Sequence, residues 1–367
     1  MEILICAGDP SGDIHASNLA RELKKITPGC RISAIGGEKL RHEADNFIYD
    51  IVGLNVHGFW EPVKQYFRLK KFLDTRVADY LRGTKPSAVI PVDYYGFNIH
   101  LARTARELGI PVYYFISPQI WATRPKRIEK MKKYVNHISV IFPFEEKIYA
   151  RAGVPVTFVG NPLLDSVPLP AQKQPGNPVK GNFTIGLFPG SRKQVIKWNL
   201  PVMIKSAKLI LARYPGVKFK IIGMKQLEKS YGEVPVKSFE ILYDSSYAAR
   251  AGLDFAITTS GTVALENTLL EIPMVVMYRL PWLMYYLVKS IIKVTSVTIT
   301  NLLVNEQIVP EYIQHDATPR KISDAVVKTI SDANALNVMK QKLNSIRPIL
   351  GQPGVYNRAA KLIMGKI

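Results

Sequence analysis

The chain has 367 residues, 47% of them hydrophobic, enough material for about two domains with cores of their own. Its 49 Lys and Arg against 29 Asp and Glu give a formal charge of +20, so the surface attracts polyanions, either nucleic acid or an acidic membrane face. No helix-turn-helix, zinc-finger, RRM or KH signature favours nucleic acid, and no apolar run approaches the roughly 20 residues of a membrane span.

Two cysteines, Cys6 and Cys30, offer no disulfide framework and fit a reducing compartment. Met1 to Ala7 reads as the start of a strand rather than as a signal peptide, because it lacks a basic leader and its apolar run is short. Strand-like and helical runs then alternate. Strands are expected at Ile3–Ala7, Ile32–Ile35, Phe47–Val52, Ala88–Val92, Val112–Ile116 and His137–Ile141, with helices at Ile14–Leu23, Ile99–Leu108 and Arg127–Tyr134. Residues 161 to 181 carry five prolines (Pro162, Pro168, Pro170, Pro175, Pro178) and read as a linker. A second series follows: a strand at Phe183–Phe188, a helix to about Arg213, strands at Val217–Ile222, Phe255–Ile257 and Met274–Met277, and helical segments across 306–366. Repeated βα alternation predicts an α/β fold of two doubly wound Rossmann-like domains, with ligands at the carboxyl ends of the strands and the active site in a cleft between the domains.

Five loops carry polar groups suited to chemistry. Gly8-Asp9-Pro10-Ser11-Gly12-Asp13 follows the first strand; Ser11 or Asp13 can cap the next helix, and the two carboxylates suit sugar hydroxyls better than phosphates. Asp93 ends a buried strand, where a partly dry carboxylate can serve as a general base; the alternative is a turn residue before a helix capped by Asn98. The stretch from Ser117 to Arg127 mixes Gln119, Trp121 and the cations Arg124, Lys126 and Arg127, which suits a phosphorylated or amphiphilic substrate, or else is an ordinary basic loop. In the second half, Gly190 and Ser191 free backbone donors and Arg192 can grip phosphate bidentately. Ser260, Gly261 and Thr262 open a helix whose N-terminus favours an anion, and Glu266, one turn on, can accept from two vicinal hydroxyls; the plainer alternative is a cap and a solvated Glu. An anion seat beside a diol acceptor describes the pyrophosphate and ribose of a nucleotide. No Asp-x-Asp pair occurs, so neither a metal nor another cofactor is expected at this site, and leaving-group charge falls to Arg192 and helix N-termini.

Two stretches combine apolar and basic residues in the manner of interfacial helices. Residues 56–80 place Phe59, Trp60, Val63, Phe67 and Leu69 among Lys64, Arg68, Lys70 and Lys71, and residues 281–293 read PWLMYYLVKSIIK. Packing on a core or a partner is the alternative for both.

Taken in order, these motifs resemble the lipid-A-disaccharide synthase family nearly end to end. Gly8-Asp-Pro-Ser-Gly-Asp13 is similar to the family's G-E-x-S-G-D, Ile35-Gly-Gly37 to its G-G turn, Val92-Asp-Tyr-Tyr-Gly-Phe-Asn98 to I-D-x-P-x-F-N, and Ser117-Pro-Gln-Ile-Trp-Ala122 to S-P-x-x-W-A. Phe142-Pro-Phe-Glu145, Phe158-Val-Gly-Asn161, Pro189-Gly-Ser-Arg192, Thr259 to Glu266 and Asn301-Leu-Leu303 also have counterparts.

The resemblance implies a GT-B fold and an inverting, metal-independent hexosyltransferase. Its substrates would be UDP-2,3-diacylglucosamine and 2,3-diacylglucosamine 1-phosphate (lipid X), its products a β-1,6 disaccharide and UDP. It further implies a cytoplasmic protein, peripheral on the anionic inner face of the inner membrane, with no nucleic-acid partner and with a homodimer as an option. By the same resemblance residues 1–165 form the acceptor and membrane side, 166–351 the UDP-sugar side, and 352–367 pack back on the first domain. Ser11, Gly12, Asn98, Ser117, Gln119 and Trp121 are then expected at the acceptor. Gly190, Ser191, Arg192, Ser260, Gly261, Thr262, Glu266 and Asn301 are expected at the UDP-sugar. Asp93, Asp9, Asp13 and Arg192 are expected in catalysis. Asp9 stands for the family's Glu, Gly96 for a frequent second Asp, Tyr95 for Pro and Thr123 for Trp, so the base is Asp93, or failing it Asp9 or Asp13. The rival readings are a related sugar-nucleotide enzyme, such as a UDP-GlcNAc 2-epimerase or a soluble-acceptor glycosyltransferase, and a non-catalytic nucleotide-binding protein at a membrane.

Overall fold

A computed structural model describes residues 1–53, 61–170, 176–232, 239–243, 247–292 and 294–367, with backbone alone at 61–66. The chain forms two compact units, Met1–Pro162 with Leu350–Ile367, and Leu163–Ile349. Part of the proline-rich segment (171–175, with Pro175), Val56, Phe59, Trp60 and Lys293, and the side chains of Val63 and Lys64, lie outside the described residues.

Among the described residues the first unit holds seven strands: β1 (Glu2–Ala7), β2 (Arg31–Gly36), β3 (Asn46–Asp50), β4 (Ala88–Val92), β5 (Tyr113–Phe115), β6 (His137–Val140) and β7 (Val156–Phe158). They pair in the order β3-β2-β1-β4-β5-β6-β7, and every pairing is parallel. The second unit holds β8 (Thr184–Phe188), β9 (Lys218–Gly223), β10 (Phe239–Tyr243), β11 (Phe255–Thr258), β12 (Met274–Tyr278) and β13 (Glu311–Ile313), in the order β10-β9-β8-β11-β12-β13, again all parallel. The central strands are apolar along their whole length because helices cover both faces. β4 is buried at all five residues, and apolar clusters lie on either face of the first sheet.

The segment read as helical throughout, 306–366, also contains β13. Three half-buried residues are too short a run to show a strand period. The helix expected at Ile14–Leu23 starts earlier, at Pro10, and runs to Ile26. Asp9 is its cap, accepting from the Gly12 N–H at 2.7 Å, and Pro10 fills the first turn, where a missing N–H costs nothing. Neither of the expected caps, Ser11 or Asp13, caps this helix, and Asp13 instead turns inward. It is 4% exposed, and its carboxylate accepts from the N–H groups of Gly37 (2.7 Å), Lys39 (2.9 Å) and Leu40 (3.2 Å), tying the first helix to the turn after β2. The C-terminal helix Val355–Met364 packs on that same first helix, where Tyr356 meets His15 (2.8 Å) and Asn357 donates to Glu22 (2.9 Å).

Replacing Asp13 by Ala leaves three N–H groups without their carboxylate. We predict a loss on the order of 3 kcal/mol in unfolding free energy, since hydrogen bonds to a buried charge are the strong ones. Denaturant titration of Asp13→Ala measures it, and an unchanged midpoint would contradict the tie.

Candidate active site

In the first unit the loops after β1, β4, β5 and β6 gather at one edge of the sheet. Asp93 follows β4 with φ 46° and Tyr94 with φ 42°, two left-handed residues in succession, and Ile116 after β5 has φ 60°. Such backbone is costly for residues with a Cβ and collects where side chains must be aimed. The turn is pinned by hydrogen bonds. The Asp93 N–H donates to Phe115 (3.1 Å) and Ile116 (3.2 Å), and the Asp93 carbonyl accepts from Tyr114 Oη (2.5 Å) and Asn98 Nδ2 (2.9 Å). Tyr94 lies flat over Gly8, where an added Cβ would fall 1.9 Å from its Cδ1, so only glycine fits there. Burial first, and then the neighbouring Asp9 carboxylate, push Asp93 up to about 6.

The structure also brings forward Glu145, which the sequence offers only as part of the stretch 142–145 and with no role of its own. Glu145, in the first turn of the helix Pro143–Arg151 after β6, is fully buried. Its Oε1 accepts from Trp121 Nε1 (3.0 Å) and its Oε2 from the N–H groups of Ile141 (3.3 Å) and Phe142 (3.1 Å). Trp121 rests edge-on against Phe144, which stacks on Phe142. Burial, with a smaller push from the Asp93 charge, raises Glu145 to about 7 against the pull of those donors. The available signal was the proline followed by Glu at the third helical position.

Several expected contacts prove to be framework. Asn98 is fully buried and caps no helix: its amide donates to the carbonyls of Val92 (3.0 Å) and Asp93 (2.9 Å), fastening the strand end. Ser117 is 3% exposed and shares a 2.6 Å hydrogen bond with Tyr149. Asp13 is committed to backbone donors and is not placed to exchange a substrate proton. Ser11 and Gln119 are exposed, Gly12 is buried in the first helical turn, and Trp121 is half-buried.

The second unit presents a different chemistry at the corresponding edge. Gly190, after β8, has φ 111°, and a Cβ there would fall 2.6 Å from Val195 Cγ1. Arg192 precedes the helix Lys193–Arg213 and is exposed, and its charge is felt at Tyr278. After β11, Gly261 (φ 135°) opens the helix Thr262–Leu269. Among the described residues, the N–H groups of Gly190, Ser191, Arg192, Ser260, Gly261 and Thr262 donate to no protein acceptor. Two helix starts therefore offer unspent donors to an anion.

Ser260 Oγ donates to the Val297 carbonyl (2.7 Å), so its amide rather than its hydroxyl hydrogen is available. Glu266 is held from behind, Oε2 by Arg250 Nη1 (2.7 Å) and Oε1 by Tyr247 Oη (3.1 Å). Asn301, expected near the phosphates, is 1% exposed. Its amide donates to Val309 (2.9 Å) and Glu311 Oε1 (2.8 Å), and its oxygen accepts from the Val309 N–H (3.0 Å). Both of its hydrogens are spent on the frame that carries Thr298 and Val297.

Solved structures share this architecture at low identity. UDP-GlcNAc 2-epimerase from Neisseria meningitidis, bound to UDP-GlcNAc, is 13% identical with a TM-score of 0.63 over 100% of this chain and 99% of that one. The glycotransferase of kitacinnamycin is 15% identical with a TM-score of 0.65, over 100% and 99%. The fold is GT-B, the architecture of sugar-nucleotide transferases and epimerases. The family described as lipid-A-disaccharide synthetase matches residues 3–363. Lipid-A-disaccharide synthases of Coxiella burnetii (strain RSA 331) and Nitrosococcus oceani are each 35% identical, over 98% and 100% of this chain and 97% and 96% of their own lengths. The chain belongs to the lipid-A-disaccharide synthetase family, and the protein is a glycosyltransferase.

Glu145 offers a check on the first unit's site. Its folded pKa is raised from 4.5 to about 7, so its contribution to stability is full below about 4 and is lost as pH rises through 7. We predict that wild type loses on the order of 3 kcal/mol relative to Glu145→Gln between pH 4 and 7. Denaturant midpoints across that range measure it, and parallel curves for the two proteins would contradict it.

Proposed function

We propose that the first unit binds the acceptor and the second the UDP-sugar in the reaction of this family, transfer of 2,3-diacylglucosamine from UDP to the 6-hydroxyl of 2,3-diacylglucosamine 1-phosphate. The family match favours this over the epimerase-like and non-catalytic readings. The observation that carries it is the division of chemistry: carboxylates with raised pKa at the strand ends of one unit, unspent amides with an exposed Arg192 at those of the other.

Asp93 takes the proton from the acceptor 6-hydroxyl as that oxygen bonds to the anomeric carbon. The bond from that carbon to the phosphate oxygen breaks, and UDP leaves with the electron pair, inverting the centre. Arg192 and the amides at Gly190–Ser191 and Ser260–Thr262 meet the growing charge on the diphosphate without a metal. Glu266 accepts from the ribose hydroxyls through the lone pairs that Arg250 and Tyr247 leave open. Asp9 adds to the basicity that burial gives Asp93. Ser11, Gly12, Gln119 and Trp121 frame the acceptor, and Asp13, Asn98, Ser117 and Asn301 hold the loops in register.

The same reading places the protein on the anionic inner face of the inner membrane. No helix among the described residues is long and apolar enough to cross a bilayer. The helix Trp282–Ile291 has no buried residue, with Leu283 73% and Tyr286 57% exposed, and Phe67 on the helix Glu61–Phe72 is 63% exposed. These supply apolar contact within a strongly basic chain. A homodimer is compatible with this placement.

The test is to incubate the protein with both acylated glucosamines and weigh the product. A disaccharide plus UDP is expected, and no condensation would remove the reading. Arg192→Ala should lower kcat by about 10²–10³, as loss of one charge-stabilising donor does elsewhere; near-normal turnover would take Arg192 out of the mechanism. For Asp93, kcat/KM should fall as pH drops below about 6, where the carboxylate takes up its proton. Asp93→Asn should abolish both that limb and most of the rate. A retained limb would move the base elsewhere.

A further inference from the structure

The turn after β5 carries a cluster of charge that the account above leaves unused. Arg124, Lys126 and Arg127 fall within four residues: Arg124 precedes, and Lys126 and Arg127 lie on, the short helical turn Pro125–Arg127 that follows the helix Ile120–Thr123 carrying Trp121. The Arg127 N–H donates to the Arg124 carbonyl at 3.0 Å, which sets both arginines on one turn. Three exposed arginines of this unit meet acids, Arg21 at Glu43, Arg82 at Asp79 and Arg103 at Glu107, while others such as Arg41 and Arg151 form no ion pair among the described residues. Among the described residues no carboxylate pairs with Arg124, Lys126 or Arg127, although Glu129 lies only two residues further on.

Arg127 is also fixed in place. It is half-buried, and its guanidinium lies 4.2 Å from the centre of the Tyr95 ring. Tyr95 opens the helix Tyr95–Glu107, two residues after Asp93, so the cation is anchored to the turn that aims the proposed base. Burial, and then the charge of Arg124, disfavour the Arg127 cation. Like charges held together without an acid are relieved when an anion joins them, and a planar guanidinium accepts two phosphate oxygens at once.

We propose that Arg127, with Arg124 beside it, is the seat for a phosphomonoester carried by the acceptor sugar. This rests on the reading that the first unit binds the acceptor, and it assigns the one anionic group on that substrate to two named side chains. Lys126, exposed on the same turn, adds charge without fixed geometry.

The experiment compares two acceptors, 2,3-diacylglucosamine with and without its 1-phosphate, with wild type, Arg127→Ala and Arg124→Ala. Wild type should prefer the phosphorylated acceptor in kcat/KM. In Arg127→Ala that preference should shrink roughly 10- to 100-fold, the range for a charged hydrogen bond, while UDP affinity stays put. Arg124 is exposed, so Arg124→Ala should fold even if Arg127→Ala does not, and it should shrink the same ratio. An unchanged ratio in a folded variant would overturn the assignment, as would an equal loss on both acceptors. Wild type making no disaccharide from either acceptor would instead remove the reaction itself, and this seat with it. Sedimentation with phosphatidylglycerol vesicles separates lipid headgroups from substrate phosphate. Unchanged vesicle binding by the variants supports the seat. Lost vesicle binding with the acceptor preference intact would give the cations to the bilayer.

Discussion

Parallel pairing of every strand constrains both units. A sheet whose strands all run one way delivers all of their carboxyl ends to one edge, and covering both of its faces removes polar groups from the strands themselves. β4 shows the consequence: five buried residues, then Asp93. Chemistry has to sit where the chain leaves the sheet, and the left-handed backbone at Asp93, Tyr94 and Ile116 is the cost of turning there at once. Ordered hydrogen bonds from Tyr114 and Asn98 hold that turn against its strain.

The same architecture is put to opposite electrostatic uses. In the first unit burial, helped by the charge of Asp9 at Asp93 and of Asp93 at Glu145, disfavours negative charge on both, which leaves a carboxylate willing to take a proton near neutral pH. In the second, glycines at 190 and 261 adopt backbone closed to other residues and leave amides that have no partner among the described residues. In the proposed reaction the first unit accepts a proton and the second receives developing negative charge, the two requirements of displacing a diphosphate with a hydroxyl.

Much of this was legible in the sequence, for a physical reason. Central strands of a parallel sheet are unbroken apolar runs, so Ile3–Ala7, Ala88–Val92 and Phe183–Phe188 stand out, and the polar loops directly after them mark the site. β7 and β13, three half-buried residues each, leave no period to read. Roles were harder than places. Asp13 and Asp93 look alike as loop carboxylates, and only the fold shows that Asp13 reaches the turn after β2 while Asp93 stays at the end of β4. Asn301 is a similar case, since its partners Val309 and Glu311 are local but their geometry is not written in the residues. Glu145 could be read as a helix cap but not as a buried neighbour of Trp121, because that contact spans 24 residues.

The central claim is that the diphosphate of a uridine nucleotide is held by amides at two helix starts of the second unit. Amide hydrogen exchange with and without UDP tests it most directly. Slowed exchange is expected at residues 190–192 and 260–262, whose N–H groups have no acceptor among the described residues, with little change at the ends of β1, β4 and β6. Protection that appears at those three strand ends and leaves 190–192 and 260–262 untouched would contradict it.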